Sequence, residues 1–195
     1  MPERLAVLQS NYIPWKGYFD IIHDVDLFVF YDDVQYTKND WRNRNVIKTA
    51  SGPQWLTIPV GKRQDRLICE VEIEDPSWAQ RHWRLIQQHY SGAPYFRRYE
   101  PFLIDLYQRR IWRSLSELNH YIIRTIAHEH LGLSTAFLDS RDYAPSGAKA
   151  DRLLDLLQKV GATVYVSGPA ARSYIDERTF QAAGIAIVWK SYQGY

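Results

Sequence analysis

Short apolar runs alternate with amphipathic stretches near both ends of the chain. The runs RLAVLQS, DLFVFYDD, STAFLDS, ATVYVSG and IAIVWK each have the length and composition of a buried strand. The segments PWKGYFDIIHDV, SGAKADRLLDLLQKVG and SYIDERTFQAAG lie between them and have the pattern of helices. This strand–helix–strand rhythm predicts an α/β fold, namely a doubly wound, mostly parallel five-stranded sheet with the strand order 3-2-1-4-5.

The pattern is different in residues 42–132. Two β-prone runs flank ASGPQ in NRNVIKTASGPQWLTIPVG, which predicts a hairpin, and LICEVEIED predicts a further strand. Three helical segments follow, and the third has Ser114 or Ser116 as its N-cap and ends at Gly132. We therefore predict one α/β domain over residues 1–195, with an insertion at 42–132 that carries a small antiparallel β element and three helices.

Composition and charge exclude several classes of protein. The net charge is only +2, so no strong field attracts nucleic acid or a membrane surface. No apolar run approaches about 20 residues, and the N-terminus lacks a signal-peptide pattern. A single cysteine, Cys69, excludes a disulfide framework. We expect a cytoplasmic protein without a membrane span or a nucleic-acid partner, and these features leave the oligomeric state open.

Three polar loops follow strands of the predicted sheet. They are SNYIPWKGY (residues 10–18), DDVQYTKNDWRNRN (32–45) and SGPAARSY (167–174). Because the strands are parallel, their carboxyl ends share one edge, and ligands bind there at the point where the strand order reverses. We therefore expect the three loops to form one cleft for a small-molecule substrate.

The charged residues of the second loop have both functional and structural explanations. Asp32 and Asp33 end a strand, so their side chains point to opposite faces and one of them should face inward. A carboxylate there could act as a base, bind an amine, a sugar hydroxyl or Mg²⁺, or simply cap the strand end. Arg42 and Arg44 would share a face of an extended strand, where they would grip a diphosphate or a carboxylate or form structural ion pairs.

The loops and their flanks also supply hydrogen-bonding groups and aromatic rings at high density. Aromatic residues make up 14% of the chain, and rings with polar edges suit sugar, nucleoside and cofactor pockets. We expect Tyr12, Trp15 and Trp41 to stack on a sugar or a base. The other candidate substrate-binding residues are Gln9, Asn11, Tyr18, Gln35, Lys38, Ser167, Gly168, Arg172 and Tyr174.

Motifs that would identify a nucleotide or metal site are incomplete. The loop after the first strand leads into a helix that starts at Pro14, whose amides could receive phosphate. It is neither G-x-G-x-x-G nor a Walker A loop, and it lacks the paired histidines of the HxGH nucleotidyltransferases. His128 and His130 point about 200° apart on a helix, so they do not form a metal pair. We therefore predict no zinc site and assign no residue as a metal ligand; a nucleotide or Mg²⁺ stays open as a cofactor.

The stretch LQSNYIPWKGYFDIIHDVDLFVFYDDVQYTKNDWRNRNVIKT, followed by WLTIPV, GATVYVSGPAARSYID and GIAIVWKSYQGY, resembles the WbqC-like protein family. The resemblance runs in order from Leu8 to Tyr195 and includes residues of all three polar loops. Similar proteins continue beyond the YQGY region, whereas this sequence stops at Tyr195. The resemblance therefore implies either that a C-terminal tail is missing from this sequence or that the site is incomplete without it.

The resemblance implies a role in bacterial surface-polysaccharide (O-antigen) biosynthesis. The reaction it implies is the transfer of an aminoacyl (glycyl-like) or acyl group to a nucleotide-linked amino sugar. The substrates would be a nucleotide sugar and an activated acyl donor. Asp32 or Asp33 would be the base or the amine-binding group, and the arginines would hold phosphate. The alternatives are an ATP-using, nucleotidyltransferase-like activating enzyme and a non-enzymatic binding protein of the polysaccharide machinery.

Overall fold

The computed structural model describes residues 3–193, and the chain divides into two compact units. The first unit contains the chain up to Ser10, Pro14–Asp33 and the chain from Ile123 onward. The second contains Asn11–Ile13 and Val34–Ile122. The sheet predicted from the two ends of the chain belongs to the first unit.

Five parallel strands form the sheet of the first unit. The strands are β1 (Arg4–Leu8), β2 (Leu27–Phe30), β5 (Ala136–Asp139), β6 (Val164–Ser167) and β7 (Ala186–Trp189). Along the sheet their order is β5-β2-β1-β6-β7, and every adjacent pair is parallel. This is the predicted order 3-2-1-4-5, so the doubly wound α/β fold is confirmed.

Each face of this sheet packs against its own hydrophobic core. Alternate residues of a strand point to opposite faces, so Ala6 enters one core whereas Leu5 and Val7 enter the other. The helix after β1 and the end of the helix before β5 close the first core, and the two helices after β5 close the second. These helices are α1 (Lys16–His23), α4 (Leu115–Thr125), α5 (Lys149–Val160) and α6 (Glu177–Ala182).

The predicted helix ends are close to the observed ones, with one correction at α1. Gly161 and Gly184 have positive φ angles of 84° and 80° after α5 and α6, and β6 and β7 follow within a few residues. The helix α1 begins at Lys16 with Trp15 as its N-cap, so Pro14 lies two residues before the helix and does not start it. Ile13 has a φ of 47°, and the chain reaches its helical direction only after this turn.

The second unit contains the predicted hairpin and helices. Its two strands pair antiparallel in a two-stranded sheet, which confirms the hairpin. Ser114 caps α4, since its hydroxyl accepts a hydrogen bond from the Glu117 N–H at 3.3 Å. A π-helical turn continues α4 to His130, and Gly132, with a positive φ angle of 66°, follows two residues later. The further elements of this unit are β3 (Arg44–Thr49), β4 (Gly52–Thr57), α2 (Trp78–Tyr90) and α3 (Phe96–Ile104), with a π-helical turn at Asp105–Arg109, whereas the π-helical turn at Ile126–His130 belongs to the first unit.

The strand predicted in LICEVEIED is wrong. The segment forms a short 3₁₀ helix at Ile68–Glu70, and two isolated β-bridges flank it, one between Leu67 and Gln35 and one between Glu72 and Ser114. Ile68 and Val71 are the buried apolar residues, and their spacing of three fits a 3₁₀ turn rather than a strand. The Glu70 carboxylate accepts a hydrogen bond from the Leu67 N–H at 2.8 Å, which closes the turn.

None of the helices within residues 3–193 is both long enough and apolar enough to cross a lipid bilayer.

Candidate functional site

Asp32 is bound to Ser10 at the carboxyl ends of β1 and β2. The Ser10 N–H donates to Asp32 Oδ1 at 2.8 Å, and the Ser10 hydroxyl donates to Oδ2 at 2.7 Å. Both residues are fully buried. Burying a carboxylate costs free energy unless hydrogen bonds compensate it. The two hydrogen bonds from Ser10 supply this compensation and join the end of β2 to the end of β1. Of the two adjacent aspartates, Asp32 is therefore the one that faces inward.

Asp33 pairs with Arg152 of helix α5. Arg152 Nη2 donates to Asp33 Oδ2 at 2.6 Å, and the Ser140 hydroxyl donates to Oδ1 at 2.5 Å. Arg152 Nη1 also donates to the Pro145 carbonyl. The side chains of Asp33 and Arg152 are 12% and 23% exposed, so the pair still meets solvent. Charge-assisted bonds of this kind hold the guanidinium in one place at the rim of the sheet.

Three tyrosines lie at the same edge. Tyr31 follows β2, Tyr165 belongs to β6 and Tyr174 lies in the loop after β6. Burial raises the pKa of Tyr31, and Arg152, which hydrogen-bonds its hydroxyl, lowers that pKa in part. Burial also raises the pKa of Tyr165, and a charge on Tyr174 or Tyr31 would raise it further, so the three phenols are within electrostatic range of one another. The Ser167 hydroxyl donates to the Tyr165 hydroxyl at 3.2 Å.

These groups span the switch point of the sheet. They extend from β2 to β6, the two neighbours of β1, and open α/β sheets bind ligands where the strand order reverses. With raised pKa values the phenols are protonated at neutral pH and each can donate a hydrogen bond, while the guanidinium is positively charged. Hydroxyl donors beside an arginine whose charge is balanced by Asp33 suit a polyhydroxylated ligand. The set, here called the edge cluster, is Tyr31, Tyr165, Tyr174, Ser167, Arg152 and Asp33.

An aromatic pair lies at the end of β6 as well. Trp15 and Tyr192 contact each other edge to face, with ring centroids 5.0 Å apart, and Trp15 is half-exposed. A Cβ atom on Gly168 would come within 3.9 Å of the Tyr192 hydroxyl. A Cβ atom on Gly17 would approach the Trp15 indole to 2.3 Å, so the ring lies directly over this glycine. An exposed indole held in this way can stack on a planar or apolar ligand face.

The remaining candidates of the first unit are dispersed. Tyr18 is buried in the core, and its hydroxyl donates to the Gln9 carbonyl at 3.1 Å. Arg172 is exposed, and its guanidinium lies 5.2 Å from the centre of the Trp189 ring. The first unit therefore brings Asp33, Ser167 and Tyr174 together at one edge but directs the Tyr18 ring into the core.

In the second unit, Arg42 and Arg44 have different partners and do not share a strand face, because β3 begins only at Arg44. Arg42 is largely buried; it donates to Asn11 Oδ1 and lies 3.5 Å from an Asp40 carboxylate oxygen. Arg44 donates to the Asn39 carbonyl. The contacts of Arg42 favour the structural ion pair over the ligand clamp.

Tyr12 is the centre of a buried hydrogen-bond chain. Its hydroxyl lies 2.9 Å from His82 Nδ1 and 2.6 Å from the Tyr107 hydroxyl, and His82 Nε2 lies 3.2 Å from the Thr57 carbonyl. A carbonyl only accepts, so Nε2 carries the proton and Nδ1 accepts from Tyr12, which in turn accepts from Tyr107. Trp78 contacts all three rings edge to face. Tyr12 is fully buried, and its ring is not accessible for stacking on a sugar or a base.

The other polar candidates of the second unit are exposed. Gln35 Nε2 donates to the carbonyls of Tyr36 and Arg66 at 3.3 Å each, and Lys38 is exposed. Trp41 is half-exposed and stacks on Trp55. The single cleft that the sequence predicts for all three loops stays a prediction.

Sequence reasoning missed several members of the edge. Tyr31 directly precedes the two aspartates, and the alternation of strand side chains could have placed it on the same face as Asp33. Tyr165 precedes Ser167 by two residues on β6 and could have been found in the same way. Arg152 lies in an amphipathic helix and Tyr192 near the end of the chain, and neither gives a local signal.

Among residues 3–193, no three or more His, Cys, Asp or Glu side chains are grouped so that they could hold a metal ion. The edge cluster offers one carboxylate, Asp33, and this carboxylate is already paired with Arg152. The chemistry available at the edge is hydrogen bonding to hydroxyls and anions.

Comparison with known proteins gives the same family as the loop residues. The model of the WbqC-like protein family matches residues 9–195. The chain belongs to the WbqC-like protein family. A relative in Mycobacterium tuberculosis, the uncharacterized protein Rv1507c, is 46% identical over 195 residues, which cover 99% of this chain and 84% of the relative. No solved structure matches the chain.

Proposed function

We propose that this WbqC-like protein is a transferase of bacterial surface-polysaccharide biosynthesis. It would transfer an aminoacyl (glycyl-like) or other acyl group to a nucleotide-linked amino sugar. The loop residues that carry the family resemblance support the pathway, because that resemblance implies a role in O-antigen synthesis. The residues at the carboxyl edge of the sheet support the substrate class.

The observation that carries the proposal is the edge cluster at the switch point. A nucleotide sugar presents many hydroxyls and a diphosphate to its site. Tyr31 and Tyr174 offer phenolic donors for the sugar, and Arg152 offers a fixed guanidinium for one phosphate oxygen. Trp15, half-exposed beside Tyr192, would stack on the sugar or on the base.

The reaction itself needs a neutral amine close to an activated acyl group. The amine nitrogen attacks the acyl carbonyl carbon and a C–N bond forms. The bond to the leaving group then breaks, and the leaving group departs with the electron pair and takes up the proton that the nitrogen loses. We assign Asp33 as the group that accepts a hydrogen bond from the amine, because it lies at the rim. Asp32 has a positioning role, since it is fully buried and both of its oxygens accept from Ser10.

The test is incubation with UDP- and dTDP-linked amino sugars and activated glycyl or acetyl donors, followed by mass spectrometry. With the wild-type protein we expect one of the sugars to gain the mass of one acyl group. The variants Asp33→Asn and Arg152→Met should give no such gain. Tyr95→Phe, an exposed tyrosine of the second unit, is the control that should keep full activity. If no pair of substrates gives a product while the sugar still binds, the transferase proposal is wrong.

A non-enzymatic sugar-binding protein is the second candidate. Both oxygens of Asp32 and both oxygens of Asp33 accept hydrogen bonds from groups of the protein itself. Carboxylates that are occupied in this way favour binding over proton transfer. Calorimetry with the same nucleotide sugars separates the two candidates, because this one predicts binding that Arg152→Met weakens and no product with any donor.

A further inference from the structure

A second aromatic surface lies on the hairpin of the second unit. In β3 and β4, Arg44 pairs with Thr57 and Val46 pairs with Trp55. Directly paired residues point to the same face, and residues two apart along a strand do so as well. Arg44, Trp55 and Lys48 therefore share one face of the hairpin.

Trp41, which precedes the hairpin, stacks on Trp55 over this face. The two rings are 5.8 Å apart at an interplanar angle of 28°, and the Arg44 guanidinium lies 4.5 Å from the centre of the Trp55 ring. Arg44 is held in turn by the Asn39 carbonyl. Ring–ring and cation–π contacts thus fix the orientation of Trp55, and the platform does not need a ligand to form.

Both indoles stay open to solvent in spite of these contacts. Trp41 is 50% exposed and Trp55 is 49% exposed, whereas Trp78 and Trp83 of the same unit are buried. Large apolar rings that are ordered side by side and left in water mark a binding surface more often than a packing defect. Lys48 is exposed on the same face and adds a positive charge.

We propose that Trp41, Trp55, Arg44 and Lys48, here called the hairpin platform, bind a saccharide that carries a carboxylate. The apolar C–H face of a pyranose ring would stack on the indoles. Lys48 and the outer edge of the Arg44 guanidinium would receive the carboxylate, and the exposed Thr57 hydroxyl would bond a sugar hydroxyl. This site is separate from the edge cluster and does not depend on the proposed transferase activity.

The charges of the platform favour a saccharide over single-stranded nucleic acid. A nucleic-acid surface needs a groove of several basic residues that follows the backbone, together with the stacking rings. The platform has two cations, and one of them is already placed over Trp55. The net charge of the chain is only +2, which supplies no broad field for phosphates.

The test is NMR of the indole N–H signals in the full chain labelled with ¹⁵N. The chain has seven tryptophans, and Trp→Phe variants at positions 15, 41 and 55 assign three of the signals. The probes are the trimer of galacturonic acid and the neutral galactose trimer of the same linkage. We expect the acidic trimer to shift the signals of Trp41 and Trp55 and to leave that of Trp15 in place.

The variants sharpen the expected result. Trp55→Ala should weaken binding of the acidic trimer by about tenfold, the loss that removal of one aromatic ring causes when a nucleobase stacks on it. Lys48→Gln should keep the stacking shifts but reduce the preference for the acidic over the neutral trimer several-fold. Lys62→Gln, at an exposed lysine outside β3 and β4, should change neither and serves as the control.

Three outcomes would overturn the proposal. One is that neither trimer shifts Trp41 or Trp55 at millimolar concentration. Another is that only the Trp15 signal moves, which would place the saccharide at the first unit and leave the proposed function intact. The third is that a thymidine decamer shifts both platform signals while the saccharides do not, which would make the surface a nucleic-acid site.

Discussion

Each of the two units contains hydrogen-bonded tyrosines, but the two groups differ in their contact with water. Tyr12 and Tyr107 in the second unit are buried with His82, and Trp78 packs against their rings. In the first unit, Tyr174 of the edge cluster is 58% exposed, although Tyr165 beside it is buried. One group is closed to solvent and the other is open at one side.

The difference separates two uses of the same residue type. In the buried chain every hydroxyl has a partner within the unit, so its hydrogen bonds fix the packing of the helices around Tyr12. In the edge cluster a phenol that faces solvent keeps its donor for a ligand. Accessibility therefore indicates function better than the presence of tyrosine, and the sequence pattern alone does not supply it.

The largest expected effect is on the buried chain. Tyr12→Phe removes the central hydroxyl and leaves His82 Nδ1 and the Tyr107 hydroxyl buried without a partner. Each buried polar group without a partner costs about 1–3 kcal/mol, so we expect the free energy of unfolding to fall by about 2–4 kcal/mol. Urea denaturation followed by circular dichroism measures the loss. Tyr95→Phe, 70% exposed in the same unit, should change stability by less than about 0.5 kcal/mol. Equal effects of the two substitutions would show that the chain does not stabilise the unit.

His82 makes the buried chain sensitive to acid. Burial lowers the pKa of His82 from 6.5 to about 4. Between these values the unfolded chain binds a proton and the folded chain does not, so stability falls as the pH falls through this range. A difference of this size is worth up to about 3 kcal/mol at pH 4. Urea denaturation at pH 7, 5.5 and 4.5 measures the slope.

Substitutions isolate the contribution of His82 from that of the carboxylates, which also weaken acid stability. His82→Gln keeps one donor and one acceptor but cannot titrate, so its stability should depend less steeply on pH than that of the wild type. Gln88→Ala, at an exposed residue of the same helix that cannot titrate, should retain the wild-type slope. If His82→Gln leaves the pH dependence of the free energy of unfolding unchanged, His82 is not the source of the acid sensitivity.

The ion pair of the edge cluster should contribute less. Asp33 and Arg152 are 2.6 Å apart and only partly exposed, which places them between surface and buried pairs, and we expect a coupling energy of about 1–2 kcal/mol. A double-mutant cycle with Asp33→Asn and Arg152→Met measures it. The pair of Asp139 and Arg141 is similarly short at 2.7 Å, but its arginine is 51% exposed, so the same cycle there should give under about 1 kcal/mol. Equal coupling energies for the two pairs would show that partial burial does not strengthen the pair of Asp33 and Arg152.

Much of the fold was predictable because its signals are local. The five strands are short apolar runs, and Gly161 and Gly184 mark helix ends by their positive φ angles, which β-carbon atoms disfavour. Strand alternation also predicted that one of Asp32 and Asp33 faces inward. LICEVEIED misled because a short apolar run fits a strand and a 3₁₀ turn equally well until the buried spacing is known.

The site was less predictable because its contacts are distant in sequence. Asp33 and Arg152 are separated by 119 positions, and Tyr12 and Tyr107 by 95. Nothing near Tyr12 in the sequence shows that its ring is buried against α2, which begins more than sixty positions later at Trp78. A polar and aromatic loop can therefore be recognised as unusual, but which of its rings remain exposed depends on the tertiary packing.

The smallest effect on stability, and the most informative one for function, is expected at Tyr174. Partial burial raises its pKa, so the phenol is neutral at pH 7 and able to donate. Tyr174→Phe keeps the ring and removes only a hydroxyl on a half-exposed residue, so the free energy of unfolding should change by less than about 0.5 kcal/mol. If the edge cluster binds a nucleotide sugar as proposed, the lost hydrogen bond should weaken binding by about three- to tenfold, which calorimetry with UDP-linked amino sugars measures.

The matched comparison for Tyr174 is Tyr165→Phe, which removes a buried hydroxyl that accepts from Ser167. This change should lower stability by about 1–2 kcal/mol and alter sugar affinity less than Tyr174→Phe does. In the edge cluster, the exposed phenol of Tyr174 would then bind the ligand, and the buried phenol of Tyr165 would stabilise the fold. If Tyr174→Phe costs stability instead and leaves affinity unchanged, the edge cluster is as structural as the buried chain around Tyr12.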